Sequence, residues 1–326
     1  MPFKFYMKRF LLLLILTLIS VSCKNVSKTE KEIANINTKI EVERFDKYFA
    51  NFSVQDLKKL QTAYPFMFSE KYDDAFWIAK SNDTLQKQLA FEVEKIFPDF
   101  NDNTQEIASL FNHLKHYFPE FKVPRVITTT SDVDYRNKVI VTDSIVIIAL
   151  DTYLGSDHEF YQGIQTYIVA DMNKSQIVVD LAGEYAKKYI YRQQNKTLLD
   201  EMVYYGKQLY FKDVMIPFKT ETERIGYTQE QMDWALANES YIWRYFVERE
   251  LLYSTDSKLS SRFIVDAPFS KFYLEEIDTQ SPDKLGQYIG WQIVKAYMEQ
   301  NEVSLVTMFD ASTEEIFNNS KFKPRK

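Results

Sequence analysis

Only one cysteine, Cys23, occurs in the 326 residues, so a disulfide within the chain is excluded. Glycine is scarce too: there are seven, with none before Gly155, and no phosphate-cradling loop can be written. Three histidines exist, His113, His116 and His158, and no G-x-S-x-G elbow accompanies them. Nucleotide and serine-hydrolase chemistry are thereby set aside. Positive charge is also short. The formal charge is −6, and removing the three cations Lys4, Lys8 and Arg9 with the leader leaves −9. That balance argues against a nucleic-acid partner or a basic membrane-hugging face.

The longest apolar run, residues 10–19, is about half the length of a membrane span. Preceded by basic residues and followed by Ser20-Val21-Ser22, it predicts a signal peptide over residues 1–22. Ser20-Val21-Ser22-Cys23 resembles the bacterial lipoprotein processing box, in which the cysteine carries the lipid, acyl chains such as palmitate. It departs from that box at Ser20, where leucine is usual. Cys23 is thus the expected lipid attachment, and residues 23–39, polar and charged, read as a flexible tether.

What is abundant is aromatic surface: 25 Phe and 22 Tyr supply a sizeable core. Residues 40–326 show no Pro/Gly/Ser-rich break and read as one globular domain. Residues 40–45 read as a short strand. A helix over 46–63 breaks near Ser53, which is placed to cap the second half. Further helices over 83–97 and 104–117 stop at Pro98 and Pro119. Two β runs, residues 123–130 and 139–150, precede two helices at about 173–191 and 196–211. Thr228 with Gln231 opens a long helix by a capping box, and helices follow at 285–298 and 313–319. Gly286-x-x-x-Gly290 predicts close backbone approach between helices. The expected fold is α+β, mostly helical, with a small central antiparallel sheet packed on the helix pair.

In the first of that pair, Val178, Leu181, Ala182, Tyr185 and Tyr189 form a buried stripe. On its other side lies Gly183-Glu184-Tyr185-Ala186-Lys187, the spacing a zinc protease fills with His-Glu-x-x-His, with both histidines replaced. Glu184 alone cannot hold zinc, which needs about three protein ligands for hydrolysis. Lys187, three positions on, is placed to pair with Glu184, either replacing a lost metal's charge or, the simpler reading, as an exposed salt bridge of little consequence. Other candidates are His113 and His116 on one helix face, with Glu120 or His158 as further ligands, and the acidic pairs Asp143 with Asp151 and Glu275 with Glu276. Helix surface and solvated acidic surface are the simpler readings of these.

Several ordered motifs resemble the gliding-motility lipoprotein B family (GldB) of the Bacteroidetes. They include Arg44-Phe45-Asp46, Tyr64-Pro65-Phe66, Phe97-Pro98-Asp99, Tyr117-Phe118-Pro119 and Ser131-x-x-Asp134-Tyr135. Leu150-Asp151-x-Tyr153-Leu154-Gly155, the stretch from Leu199 to Lys207 and Gly286-x-Tyr288-Ile289-Gly290-Trp291 continue the series. The resemblance implies an envelope lipoprotein, lipid-anchored and exposed to the periplasm, that serves gliding and the associated type IX secretion machinery. It also implies a degenerate zincin-like domain. Its presumed ligand positions are Gly183, Lys187 and Tyr205, with Glu184 at the general-base place. The reading that follows is a pseudoenzyme without cofactor, its partners being the membrane and protein components of the machinery. An envelope metal-dependent hydrolase built on His113 and His116, or a substrate-binding lipoprotein, is the alternative.

Overall fold

The computed structural model describes residues 28–192 and 196–325. The leader and Cys23 lie outside the described residues. The chain divides after Asn37 into two units. Helix α1 (Lys28–Ala34) falls in the first, within the stretch read as a tether. The second unit carries everything below.

Strands β1 (Val42–Arg44), β2 (Arg125–Thr129), β3 (Val139–Val141) and β4 (Ile145–Ala149) form one sheet in the order β1-β2-β4-β3. The apolar run at 139–150 is therefore split. Thr142 closes a turn, its hydroxyl donating to the Ile145 carbonyl (2.9 Å) and accepting from the Ile145 amide (3.0 Å). The α+β, mostly helical architecture is as expected, but the sheet is mixed rather than antiparallel. β1 with β2 and β2 with β4 run parallel, and only β3 with β4 is antiparallel. Burial explains the order. Val146 and Ile148 of β4 are fully buried and take the inner place, whereas β3 exposes Ile140 and takes the edge.

Helices α2 (Phe45–Asn51), α3 (Leu57–Ala63), α4 (Asp74–Asn82), α5 (Thr84–Ile96) and α6 (Asn101–Tyr117) fill the segment between β1 and β2. Three of them end the same way. Tyr64, Phe97 and Phe118 precede prolines, leave the helical region, and donate their amides to Leu60, Val93 and Leu114. Asp83 caps α5 by accepting from the Leu85 and Gln86 amides. Ser53 does not cap: its hydroxyl donates to Asp56 instead.

The central helix pair is α7 (Ile177–Tyr189) and α8 (Leu198–Met215), followed by α9 (Gln229–Glu248), α10 (Leu285–Gln300), α11 (Leu305–Asp310) and α12 (Thr313–Ser320). Of the predicted α7 stripe Val178, Leu181, Ala182 and Tyr185 are buried, Tyr185 set edge-on against Phe111 and Phe121, while Tyr189 is half-buried and stacked on Phe118. α8 and α10 cross in backbone contact. A Cβ on Gly206 would lie 2.3 Å from the Gly290 carbonyl oxygen, and one on Gly290 would lie 1.8 Å from that of Met202. Gly286 meets a different neighbour, the Phe263 carbonyl and Ile264 side chain.

Lys207, on α8, is buried, and its ammonium donates to the Phe309 and Ala311 carbonyls, both at 2.7 Å. It thus caps the C-terminal end of α11. Burial pulls its pKa down from 10.5 to about 8, against the attraction of Asp310 and Glu315. Between those values the folded chain binds fewer protons than the unfolded one, so stability should rise with pH from about 8 to 10.5. Lys207→Met leaves two carbonyls unpaired. It should cost about 2 kcal/mol at neutral pH and reduce that alkaline rise, as read from urea midpoints across the range.

Candidate functional site

The sequence of α7 places Gln176, Val179, Asp180, Gly183, Glu184 and Lys187 on one helical stripe, opposite the buried one. That stripe forms one wall of a cleft of about 660 Å³. On α8, Tyr205, Gln208 and Lys212 recur at three and four positions and supply the second wall. The third comes from the loop between β2 and β3, with Tyr135, Arg136 and Lys138, and the fourth from segments around Gly226, Asp266 and Lys284.

That loop is held by one buried carboxylate. Asp151 accepts from the Ser131 amide (3.0 Å), the Val133 amide (2.7 Å) and the Ser131 hydroxyl (3.3 Å). Between them the backbone takes left-handed angles at Asp132 (φ 58°) and Val133 (φ 60°), strained for residues bearing a Cβ. Burial raises the Asp151 pKa, and the backbone donors oppose that rise. The motifs around Ser131 and Asp151 thus act together as a loop clamp. Tyr153, of the second motif, donates to Asp180 (2.8 Å), which also pairs with Lys138 from the loop.

Glu184 and Lys187 pair at 2.5 Å, as their spacing predicts, but at the cleft mouth, with side chains 34% and 56% exposed. Lys187→Ala should therefore change stability by no more than about 0.5 kcal/mol, measured by thermal unfolding. The side chain lying over Gly183 is another one. Lys212 places its Cε 3.5 Å and its Nζ 3.7 Å from where a Gly183 Cβ would stand. Its ammonium donates to the Arg224 carbonyl (3.1 Å). Burial lowers its pKa to about 8, with Asp180 and Asp171 opposing. Tyr205 lines the same cleft, so Gly183, Glu184, Lys187 and Tyr205 are all brought together.

Deeper in, Lys284 sits at φ 52° before α10 and pairs with Asp266 (3.1 Å) and Asp283 (3.7 Å). Burial pushes Asp283 up to about 6, against the pull of Lys284. Arg224 donates to Asp213 (2.7 Å) and to the Pro217 carbonyl (3.1 Å). Sequence reading missed Lys212, Gln208, Lys284 and Arg224. The one available signal was the spacing of Tyr205, Gln208 and Lys212 along one face of α8.

The other candidates do not assemble. His113 is buried, its Nδ1 2.8 Å from the Ser109 carbonyl of its own helix. His116 lies edge-on to Tyr117. His158 accepts from the Phe160 amide and faces Glu92 at 3.4 Å. Among the described residues no group of three or more His, Cys, Asp or Glu side chains is arranged to hold a metal. Asp143 is exposed and paired with Lys188, while Asp151 is the buried clamp, so these two are not an acid–base couple. Glu276 is exposed, and the Glu275 side chain lies outside the described ones.

No helix among the described residues is long and apolar enough to cross a membrane. No match was found among curated proteins or among solved structures. The family model described as gliding motility protein GldB, however, matches residues 26–324. With the ordered motifs now placed in the loop clamp, the helix stops and the α8–α10 crossing, the chain belongs to the GldB gliding motility family.

Proposed function

We propose that this chain serves gliding motility as a non-catalytic binding component of the envelope machinery, anchored by lipid at Cys23 and facing the periplasm. The observation that carries the reading is the cleft itself. At the positions that the resemblance gives to a zinc protease's ligands stand Gly183, Lys187 and Tyr205, and the Lys212 side chain lies over Gly183. A cation already fills that floor, and Glu184 is engaged with Lys187 rather than turned to a water-binding metal. What is left is a recess of polar side chains suited to recognition.

In-cell crosslinking of a tagged, lipidated copy, followed by mass spectrometry, tests this. Reproducible crosslinks to motility or secretion components, lost with Cys23→Ser, are the expected result. Recovery of the protein alone, or with bulk envelope proteins only, would overturn the reading.

A further inference from the structure

The cleft contains donors that the fold does not use. Gln208 is 7% exposed, and its amide nitrogen has no hydrogen-bond partner. Arg224 Nε is buried without an acceptor, although the guanidinium's other two nitrogens are bonded. Lys212 spends one of three N–H groups, on the Arg224 carbonyl. Gln208 and Lys212 stand one turn apart on α8, and all three residues line the same recess. Unpaired buried donors cost about 1–3 kcal/mol each, a cost that an acceptor arriving with a ligand would remove.

Charge says which acceptor. Arg136, Lys138, Lys187, Lys212, Arg224 and Lys284 line the cleft with four carboxylates, Asp171, Asp180, Glu184 and Asp266, and Asp213 and Asp283 behind the lining bring the acidic count level. Most of those cations already have carboxylate partners. Lys138 pairs with Asp180, Lys187 with Glu184, Arg224 with Asp213, and Lys284 with Asp266. Arg136 lies over the Tyr135 ring, and Lys212 has a carbonyl only, so Lys212 is the cation over Gly183 that a single anionic group would pair with. Asp180 and Asp171, near enough to act on Lys212, would repel a second.

We propose that the floor of the cleft binds a single carboxylate group, received by Lys212, Gln208 and Arg224, from a small organic acid or from the end of a peptide chain. A carboxylate brings one charge and two acceptor oxygens to these donors, whereas a phosphate dianion brings a second charge that Asp180 and Asp171 repel. The inference rests on reading the cleft as a binding site. Its failure would leave the crosslinking result for the proposed function standing, because that experiment reads protein neighbours wherever they dock.

Calorimetric titration of the full-length protein in detergent at pH 7 tests it. The probes are acetate, a short acetylated peptide with a free C-terminus, the same peptide amidated, and inorganic phosphate. Saturable carboxylate binding is expected, at least tenfold weaker in Lys212→Met and several-fold weaker in Gln208→Leu, with Lys188→Ala as wild type. Acetate binding as well as the free-acid peptide assigns a small acid. A tighter free-acid peptide, with the amide inert, assigns a chain end. Lys212→Met should fold, since it removes a charge that burial disfavours, and Gln208→Leu carries the test if it does not. Absence of carboxylate binding, tighter phosphate binding, or undiminished binding in both variants would overturn the proposal.

Discussion

Gly290→Ala should cost about 4 kcal/mol or more and lower the melting temperature by roughly 10 °C. The added methyl would stand 1.8 Å from the Met202 carbonyl oxygen, inside the backbone of the facing helix. No flexible side chain is available to yield, so α8 and α10 would have to separate. That separation would propagate. Trp291, next in sequence, is fully buried and donates to Asp213 (2.7 Å), which in turn holds Arg224 at the cleft. Circular dichroism melts of wild type and variant give the comparison. A variant within about 1 kcal/mol of wild type would mean the two helices are not in backbone contact.

Asp151→Ala is expected to cost about 3 kcal/mol and to open the cleft at the same time. Two backbone amides and a hydroxyl lose their buried acceptor, and nothing then offsets the left-handed strain at Asp132 and Val133. The released loop carries Tyr135, Arg136 and Lys138, so the pair between Lys138 and Asp180 should go with it. Asp151→Asn keeps one oxygen as acceptor and should lose about 1 kcal/mol. Hydrogen exchange at the Ser131 and Val133 amides reports the loop directly. Protection there should fall further in Asp151→Ala than in Asp151→Asn, and equal protection in both would contradict the clamp.

Much of the fold is written in local chemistry. Prolines after Tyr64, Phe97 and Phe118 mark helix ends because the pre-proline residue avoids helical angles, and Thr228 with Gln231 marks a start that the structure confirms as a capping box. Gly290 was legible as a close approach, although not its partner, since Met202 is far away in sequence. Strand direction was not legible. It depends on β4 winning the inner place over β3, a competition of burial between whole strands. The site was half legible for the same reason. Gly183, Glu184 and Lys187 are marked by their spacing on one helix, and Tyr205, Ser131 and Asp151 by the resemblance, whereas Lys284 and Asp266 reach the cleft from segments with no local mark. The cation over Gly183 comes from Lys212 on the neighbouring helix, a pairing that only packing reveals.

Recognition without catalysis, as proposed for the cleft, is tested by colony spreading of a gliding bacterium whose own copy of this gene is replaced by Glu184→Gln. Glu184 holds the place of a general base, yet it stands at the cleft mouth in an exposed pair with Lys187, so the variant should fold and accumulate normally. Spreading at the wild-type rate is the predicted result. Loss of spreading, with the protein present at wild-type level and with a wild-type melting temperature, would contradict this reading of Glu184 as an exposed pair without a part in function.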